Sequence, residues 1–384
     1  MIDFRIQHPW EDDDAAAFRA TLRRYLADHI PESDARWRKQ KFVDRSFWRE
    51  TGSLGFLCPS IPVEYGGSGG SFAFEAVIGE ELGYADTTSL GQNVHGNIVA
   101  HYILAFGTEE QKQRWLPAMC AGEMIGAIGM TEPGGGSDLR ALRTNARRDG
   151  DDYVINGSKT FITNGQVADL IVLATKTDTS SSRSGLSLIV VETKDLKGFQ
   201  RGRNLDKIGM HGSDTAELFF DDVRVPARNL LGEESRGLSM MMQKLPQERI
   251  GIAISAQAML ERAIELTIAY TSDRKAFGKS VIEFQTSRHQ LAECVTEARV
   301  SRAFVDECIV KQMAGTLTTA EASMAKYWTT DRLGKIADVC VQLHGGYGYM
   351  AEYPIARLYI DARVKRIYGG TNEIMKELIA REFS

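Results

Sequence analysis

Residues 186–191 read Leu-Ser-Leu-Ile-Val-Val, and three similar runs lie close to them in the sequence, at residues 153–155, 170–173 and 216–220. Each run is rich in apolar or β-branched residues and is bounded by Gly, Asn, Asp or Ser, which is typical of β-strands. No helical crossover separates successive runs, although parallel neighbours would need one. We therefore expect a small antiparallel sandwich or barrel in the middle of the chain.

The chain before this middle segment has helical periodicity. Between about Asp14 and Ala121, apolar residues recur at intervals of three and four positions, as in Phe18, Leu22 and Leu26. This pattern predicts four to six helices. Residues 64–71 interrupt it with clustered glycines, which we interpret as a loop because glycine loses too much backbone entropy in a helix.

Helical periodicity returns after Gly237 and continues to the end of the chain. The pattern predicts long helices and a short last one, over about residues 237–271, 286–313, 318–344 and after Thr371. Pro246 falls inside the first of these helices and must kink or restart it. A restart would put Glu248 in a first helical turn, where the helix dipole favours a carboxylate.

The order of helical, β and helical segments predicts an α+β protein with three domains. We place an N-terminal helical domain at residues 1–122, a middle antiparallel β-domain at residues 123–232 and a C-terminal helical domain at residues 233–384. A chain of 384 residues is long enough for more than one such packing unit.

The composition excludes several classes of protein. The chain is 43% hydrophobic and 25% charged, as globular proteins are and disordered chains are not. A net charge of −5 gives no sign of a nucleic-acid surface, and no apolar run approaches the roughly 20 residues of a membrane span. The five cysteines are widely spaced without a CxxC pair, so we expect neither a disulfide framework nor a metal site.

The location that we expect is cytoplasmic. The widely spaced cysteines fit a reducing compartment. The first residues, Met-Ile-Asp-Phe-Arg followed by an acidic stretch, resemble no export signal. The alternative is the mitochondrial matrix, if a targeting segment has been trimmed from the chain.

Five short motifs follow one another along the chain. The first, residues 128–138, leaves a predicted strand for a glycine-rich loop whose N–H groups can approach an anion or a flat ring, although alone it is more often a connecting loop. The others are Asn-Gly-Ser-Lys-Thr-Phe-Ile-Thr-Asn-Gly at 156–165, Asp-Arg-Lys-Ala-Phe-Gly-Lys at 273–279, Gln-Leu-His-Gly-Gly-Tyr-Gly at 342–348 and Tyr-Gly-Gly-Thr-Asn-Glu at 368–373.

In this order and spacing, the five motifs resemble the acyl-CoA dehydrogenase family over nearly the whole chain, from about Phe18 to Phe383. Residues 338–382 are most similar to the long-chain branch. The resemblance implies a C-terminal four-helix bundle, with FAD between it and the β-domain. It also implies homotetramers in which two subunits build each FAD site, and an electron-transfer flavoprotein as electron acceptor.

The family's reaction implies what the site must do. It removes a proton from Cα of a fatty acyl-CoA and a hydride from Cβ, which passes to flavin N5, and so gives the trans-2-enoyl-CoA of β-oxidation. The site therefore needs a base near Cα, donors on the thioester oxygen and a dry slot for the acyl chain.

The position of the base is the most informative difference from the family pattern. Many relatives carry a glutamate directly after the tyrosine of the last motif, where this sequence has Gly369. In the long-chain and isovaleryl branches the base lies instead in a Glu-Arg pair on the first long C-terminal helix, which here is Glu248-Arg249. We therefore assign Glu248 as the base, against the alternative of a solvated helix carboxylate. Burial would raise its pKa, whereas a helix dipole would lower it.

Gly369 keeps a backbone N–H, which in the family helps to polarise the thioester carbonyl. Gly369-Gly370 is also explained by a turn with positive φ before the last helix, and both interpretations can hold together.

Without the resemblance, Phe161 would be a core residue on an alternating strand; with it, Phe161 stands where many relatives have Trp beside the flavin. Arg274 corresponds to an arginine that reaches the FAD pyrophosphate of a neighbouring subunit, a task suited to its planar donors.

The resemblance assigns the remaining residues of the site. The FAD-binding residues are Ile128, Met130, Thr131, Gly136, Ser137, Phe161, Ile162, Thr163, Arg274, Phe277, Gln285, Gln342, Gly345, Gly346, Thr371, Asn372 and Glu373. The substrate-binding residues are Ser137, Arg249, Gly369 and Gly370.

Three alternative functions stay open. The first is an isovaleryl-like dehydrogenase for short branched acyl-CoAs. The second is an acyl-CoA oxidase, which the chain length disfavours because the common oxidases carry an extra C-terminal domain. The third is a catalytically silent protein that binds FAD or acyl-CoA, suggested by Gly369.

Overall fold

The computed structural model describes residue 4, residues 8–178 and residues 185–383. Residues 1–3, on which the expectation about an export signal partly rests, lie outside this range. The described chain forms helices, then a sheet, then helices again, as the sequence predicts. None of the helices in these ranges has the length and apolar character needed to cross a bilayer.

The N-terminal part contains five α-helices and one π-helical segment, within the predicted four to six. They are α1 (Asp13–Gln40), α2 (Arg45–Ser53), α3 (Phe72–Tyr84), the π-helical segment (Asn93–Ala100), α4 (His101–Phe106) and α5 (Glu109–Cys120). The predicted loop is irregular apart from a 3-10 turn at Val63–Tyr65. Gly67 needs to be glycine there, because a Cβ would lie 2.0 Å from the carbonyl oxygen of Ile61.

Eight strands form one sheet in the middle of the chain. They are β1 (Gly126–Gly129), β2 (Asn145–Asp149), β3 (Asp152–Thr163), β4 (Leu170–Lys176), β5 (Leu186–Glu192), β6 (Phe199–Asn204), β7 (Thr215–Pro226) and β8 (Leu230–Leu231). Their order is β6-β7-β3-β2-β4-β5-β8, with β1 beside β4. Most pairs are antiparallel, as expected.

Two pairings, both with β4, depart from the antiparallel prediction. β1 runs parallel to β4, with Gly126 opposite Leu170 and Gly129 opposite Leu173, and β2 meets β4 in parallel at a single position. The chain between β1 and β4 forms the β2–β3 pair, and this long excursion returns it in the original direction. A crossover need not be helical to bring parallel strands together.

The C-terminal part contains the predicted long helices. They are α6 (Gly237–Asp273), α7 (Gln285–Met313), α8 (Thr319–His344), α9 (Pro354–Ala362) and α10 (Asn372–Ala380), with a two-stranded hairpin of β9 (Lys275–Ala276) and β10 (Lys279–Ser280) after α6. The bounds of α6, α7 and α8 agree with the predicted ones within two residues. The short helix α9 was not predicted; it begins at Pro354, which is pre-organised for a first helical position.

Pro246 does not restart α6, so this alternative of the sequence analysis is wrong. The helix is continuous from Gly237, and Glu248 is its twelfth residue, far from the first turn. Proline inside a helix costs about 3 kcal/mol. Met241 and Ile250, before and after Pro246, are both buried. Their packing offsets that cost, so the helix continues through the proline.

A buried ion network joins α3, α6 and α7. Arg302 donates to Glu261 at 2.7 Å and also pairs with Glu80, and all three side chains are almost completely buried. Burial alone would raise the pKa of Glu80, but the charges of Arg302 and Arg19 outweigh it and lower the pKa to about 2. The network therefore holds the N-terminal helices against the C-terminal bundle through compensated charges.

Replacing Arg302 should destabilise the fold strongly. In Arg302→Met, the buried Glu80 and Glu261 lose their shared cation, and the free energy of unfolding should fall by about 3–5 kcal/mol. Urea unfolding followed by circular dichroism measures this. The control is Arg224→Met, which removes an exposed pair with Asp149 and should leave the midpoint almost unchanged. Equal midpoints for the two variants would contradict the prediction.

Candidate active site

Glu248 is buried, and not the solvated helix carboxylate of the alternative interpretation. Its residue is 7% exposed, and the hydroxyl of Tyr102, on α4, donates to its Oε1 at 2.9 Å. Burial raises the pKa of Glu248 to about 7, against the lowering effects of the Tyr102 hydrogen bond and the charge of Arg249. Desolvation therefore outweighs the neighbouring charge, and helix-dipole stabilisation does not apply at this position. A carboxyl with this pKa can exchange protons near neutral pH.

The glycine pair forms the predicted turn with positive φ. Gly369 has φ +64° and Gly370 has φ +91°, and Thr371 then caps α10 by accepting from the N–H of Ile374. A Cβ on Gly369 would lie 2.3 Å from Cδ1 of Ile252. No side chain fits at position 369 while Ile252 keeps its place.

Ile252 also links this turn to Glu248. The two residues are four positions apart on α6, so their side chains lie on the same face, one turn from each other. α6 thereby brings the buried carboxyl and the Gly369 turn to one region, as the assignment of both residues to the active site requires.

Lys326 on α8 forms hydrogen bonds to the glycine turn, and the sequence analysis did not identify it. Its Nζ donates to the carbonyl oxygen of Gly370 at 2.6 Å and to Oδ1 of Asn372 at 3.0 Å. Burial, together with the nearby charge of Arg249, lowers the pKa of Lys326 to about 7. A lysine among buried alanines and threonines on a helix was the available sequence signal.

Arg249 is buried beside Glu248 without full hydrogen bonding. The residue is 3% exposed, and its Nε and Nη1 have no hydrogen-bond partner in the part of the chain that the structure describes. Burial lowers the pKa of this guanidinium, with opposing effects of Glu248 and Tyr102. Buried donors without partners are costly, so this arginine fits a site that a polar ligand completes.

The two segments assigned to the flavin ring lie against each other. Lys159 of β3 donates to the carbonyl oxygen of Met130 at 3.1 Å and pairs with Glu132 at 2.8 Å. The N–H of Thr160 donates to the carbonyl oxygen of Thr131. The loop after β1, with exposed Gly136 and Ser137, is therefore fixed to the strand that carries residues 161–163.

Phe161 is not a core residue, which corrects the interpretation made without the family. It is 67% exposed with φ +59°, at an irregularity in the pairing of β3 with β7, while Ile162 is buried and Thr163 half-buried. Positive φ is rare for an aromatic residue and often marks a functional site. An exposed ring held in this way fits packing against the flat flavin of FAD.

Four more of the predicted FAD residues form a second group at the far end of α6. A cavity of about 500 Å³ is lined by Arg274, Gln342, Gly345 and Gly346, among others. Arg274 lies over the ring of Tyr347. A Cβ added to Gly345 or Gly346 would point into open space, with no atom beyond the chain neighbours within 4 Å. Bare backbone beside a guanidinium is a suitable cradle for phosphates.

Three further predicted residues lie near this second group or on the last helix. Phe277, on the turn of the hairpin, is 96% exposed with φ +51°, and Gln285 is exposed at the start of α7. Glu373 is exposed in the first turn of α10. The structure thus divides the predicted FAD residues between two places on one chain.

All three domains match family models. The N-terminal, middle and C-terminal domain models of acyl-CoA dehydrogenase match residues 12–123, 127–223 and 235–383. The mitochondrial long-chain specific acyl-CoA dehydrogenase of Sus scrofa is 50% identical over 367 residues, which cover 95% of this chain and 85% of that protein.

Solved structures agree with this match. The crystal structure of acyl-CoA dehydrogenase from Geobacillus kaustophilus has a TM-score of 0.96 at 50% identity, covering 98% of this chain and 100% of that one. A glutaryl-CoA dehydrogenase from Mycobacterium smegmatis in complex with FADH2 has a TM-score of 0.91 at 30% identity, covering 98% and 95%. The chain therefore belongs to the acyl-CoA dehydrogenase family of FAD-dependent oxidoreductases.

Proposed function

We propose that this enzyme dehydrogenates long-chain fatty acyl-CoAs to trans-2-enoyl-CoAs, a step of β-oxidation, with Glu248 as the base. The observation that carries the proposal is the buried Glu248, whose pKa is raised to about 7, one helical turn from the residue that packs on Gly369. At neutral pH about half of the Glu248 carboxyls are ionised and can accept the α-proton. The raised pKa also makes the carboxylate a stronger base than an ordinary glutamate.

Tyr102 and Arg249 set the state of the base. The Tyr102 hydrogen bond fixes the carboxylate and keeps its pKa from rising further. Arg249 supplies a buried positive charge with two unpartnered N–H groups. We assign it to the substrate, where it favours the negative charge that develops as the α-proton leaves.

Gly369 serves as an oxyanion donor in this mechanism. Its N–H polarises the thioester carbonyl, so that the charge left by the α-proton spreads onto oxygen. The positive φ of both glycines and the two Lys326 hydrogen bonds, to Gly370 and Asn372, hold the turn that follows this donor. Gly370 and Ser137 complete the substrate-binding residues.

FAD supplies, when bound, the acceptor at flavin N5 for the hydride from the β-carbon. The residues that we assign to the ring and nearby phosphates are Ile128, Met130, Thr131, Gly136, Ser137, Phe161, Ile162, Thr163, Thr371, Asn372 and Glu373. Those assigned to the pyrophosphate and adenosine are Arg274, Phe277, Gln285, Gln342, Gly345 and Gly346. Their two separate locations on the chain call for a second subunit.

The length of α6 supports a cofactor site shared between two subunits, as the proposed homotetramer requires. Arg274 follows Glu248 by 26 residues, which at 1.5 Å per residue is about 39 Å along one helix. One FAD cannot lie at the base and also reach an arginine so far away. We therefore propose that each FAD takes its ring site from one subunit and Arg274 from its neighbour. An electron-transfer flavoprotein as acceptor and a cytoplasmic location complete the proposal.

Glu248→Gln should bind FAD and acyl-CoA but reduce the flavin at least a hundredfold more slowly, because the amide cannot accept the α-proton. Anaerobic stopped-flow absorbance with hexadecanoyl-CoA measures the rate. Glu265→Gln, further along the same helix and away from the site, is the control and should keep the rate. An unchanged rate in Glu248→Gln would remove Glu248 from the mechanism.

The rate of flavin reduction should rise with pH through about 7 and then level off, because only the ionised Glu248 accepts a proton. In Tyr102→Phe the pKa of Glu248 loses a lowering effect, so the rise should move to higher pH. Tyr359→Phe, at an exposed position, is the control. A profile that moves to lower pH, or does not move, would show that Tyr102 does not act on the base.

An anaerobic titration separates the proposed substrate class from the alternatives. The flavin should bleach with long-chain acyl-CoAs at lower concentrations than with isovaleryl-CoA. Bleaching by isovaleryl-CoA alone would identify the isovaleryl-like enzyme instead. Flavin that no acyl-CoA bleaches would identify a catalytically silent binding protein. Fast reoxidation by oxygen after bleaching would identify an oxidase.

A further inference from the structure

A second buried lysine faces the interior close to the glycine turn. Lys365 lies in the 3-10 turn Arg363–Arg366, just before Tyr368, and is 4% exposed. Its Nζ donates to Oγ of Ser255 at 2.8 Å and to the hydroxyl of Tyr368 at 3.4 Å. An ammonium has three N–H donors, so one donor is left after these two bonds.

Lys365 has no acidic partner. Within the described ranges, no carboxylate oxygen lies within 4 Å of its Nζ, whereas the buried Lys159 pairs with Glu132 at 2.8 Å. Asp361, one turn earlier in the chain, is taken by Arg38 at 2.7 Å and by the N–H of Met210. Buried charges are normally paired, so Lys365 is an exception that a ligand would resolve.

Lys365 lines a cavity that reaches the active site. The cavity has a volume of about 100 Å³, and its wall includes Ile252, Ser255, Lys365 and Tyr368 but no aspartate or glutamate. Ile252 is the residue that packs on Gly369. Through Ile252 the cavity adjoins the turn of the proposed oxyanion donor, and Thr163, which we assign to the flavin ring, also lines it. We therefore take this cavity, with Lys365 in its wall, as part of the slot for the acyl chain.

The position of Lys365 along this slot is set by α6. Glu248, Ile252 and Ser255 lie on one face of the helix, at intervals of four and three residues. Ser255 follows Glu248 by seven residues, or about 10 Å along the axis. The ammonium bound to Ser255 is thus about two helical turns along α6 from the proposed base, a distance that suits a group far along an acyl chain.

A plain hydrocarbon chain is a poor match for this wall. Once the chain fills the slot, water leaves, and the charge on Lys365 keeps only two hydroxyl partners. A carboxylate on the chain would instead form a charge-assisted hydrogen bond with the free N–H. We propose that Lys365 binds a carboxylate at the distal end of the acyl chain, so that CoA thioesters of dicarboxylic acids are a second substrate class.

This inference rests on the proposed function, because it places both substrate classes in the slot beside Glu248. No change in the chemistry is needed: the α-proton and β-hydride leave as they do from a fatty acyl-CoA. Only the far end of the substrate differs, and Lys365 touches that end alone.

The test compares pairs of acyl-CoAs with equal carbon number, one ending in a methyl group and the other in a carboxylate, over a range of lengths. The wild-type holoenzyme should favour the carboxylate-ended partner in kcat/KM at intermediate length. Lys365→Met should lower that preference about tenfold or more, the loss expected for a hydrogen bond between charged groups. Lys335→Met removes an exposed lysine on α8 and should leave the preference unchanged.

A binding measurement keeps this test independent of turnover. Enoyl-CoA products of both kinds are titrated into the holoenzyme, and Kd is taken from the change in flavin absorbance. The FAD content of Lys365→Met should equal that of the wild type. Preferences in kcat/KM and Kd that are the same in wild type and Lys365→Met would overturn the role of Lys365. Flavin that no acyl-CoA reduces, with a Lys365-dependent preference in Kd, would instead overturn the proposed function and leave this binding site.

Discussion

The contact between Ile252 and the turn at Gly369 constrains the rest of the active site. A side chain on residue 369 would overlap Cδ1 of Ile252 as that residue now lies, and the positive φ there also favours glycine. The base that we propose, Glu248, comes instead from α6, one turn before Ile252. Glu248 lies on the buried face of that helix, and burial raises the pKa of its carboxyl. The proposed base and the residue that packs on Gly369 thus share one buried face of α6.

Much of the fold followed from local patterns in the sequence. The long C-terminal helices and the strand-rich middle were predicted well, because 3.6-residue and two-residue periodicities are local and strong. Features set by long-range contacts were not. The parallel pairing of β1 with β4 depends on where the chain returns after the β2–β3 pair. The continuity of α6 through Pro246 depends on packing on both sides of the proline, which outweighs its local effect.

The same distinction applies to the site. Glu248, Gly369 and the cofactor residues could be proposed from the sequence because the spacing of their motifs resembles that of a family. Tyr102, Lys326 and Lys365 could not, because each has a partner that is distant in the sequence; Tyr102 and Glu248 are 146 positions apart, and Lys365 and Ser255 are 110 apart. Phe161 shows the limit most clearly, since an alternating strand predicts a buried ring, and only the irregular pairing with β7 turns it outward.

The balance of charge around the slot is a further consequence of burying α6. Arg249 lies beside Glu248, and Lys326 in turn lies near Arg249 and Glu373. In the proposed mechanism, Glu248 takes the α-proton and its negative charge passes to the substrate, while Arg249 keeps its place beside both. The net charge of the pocket is unchanged by this transfer. Because Arg249 is already in place before the reaction, it can stabilise the negative charge that develops on the substrate, and this lowers the barrier to proton transfer.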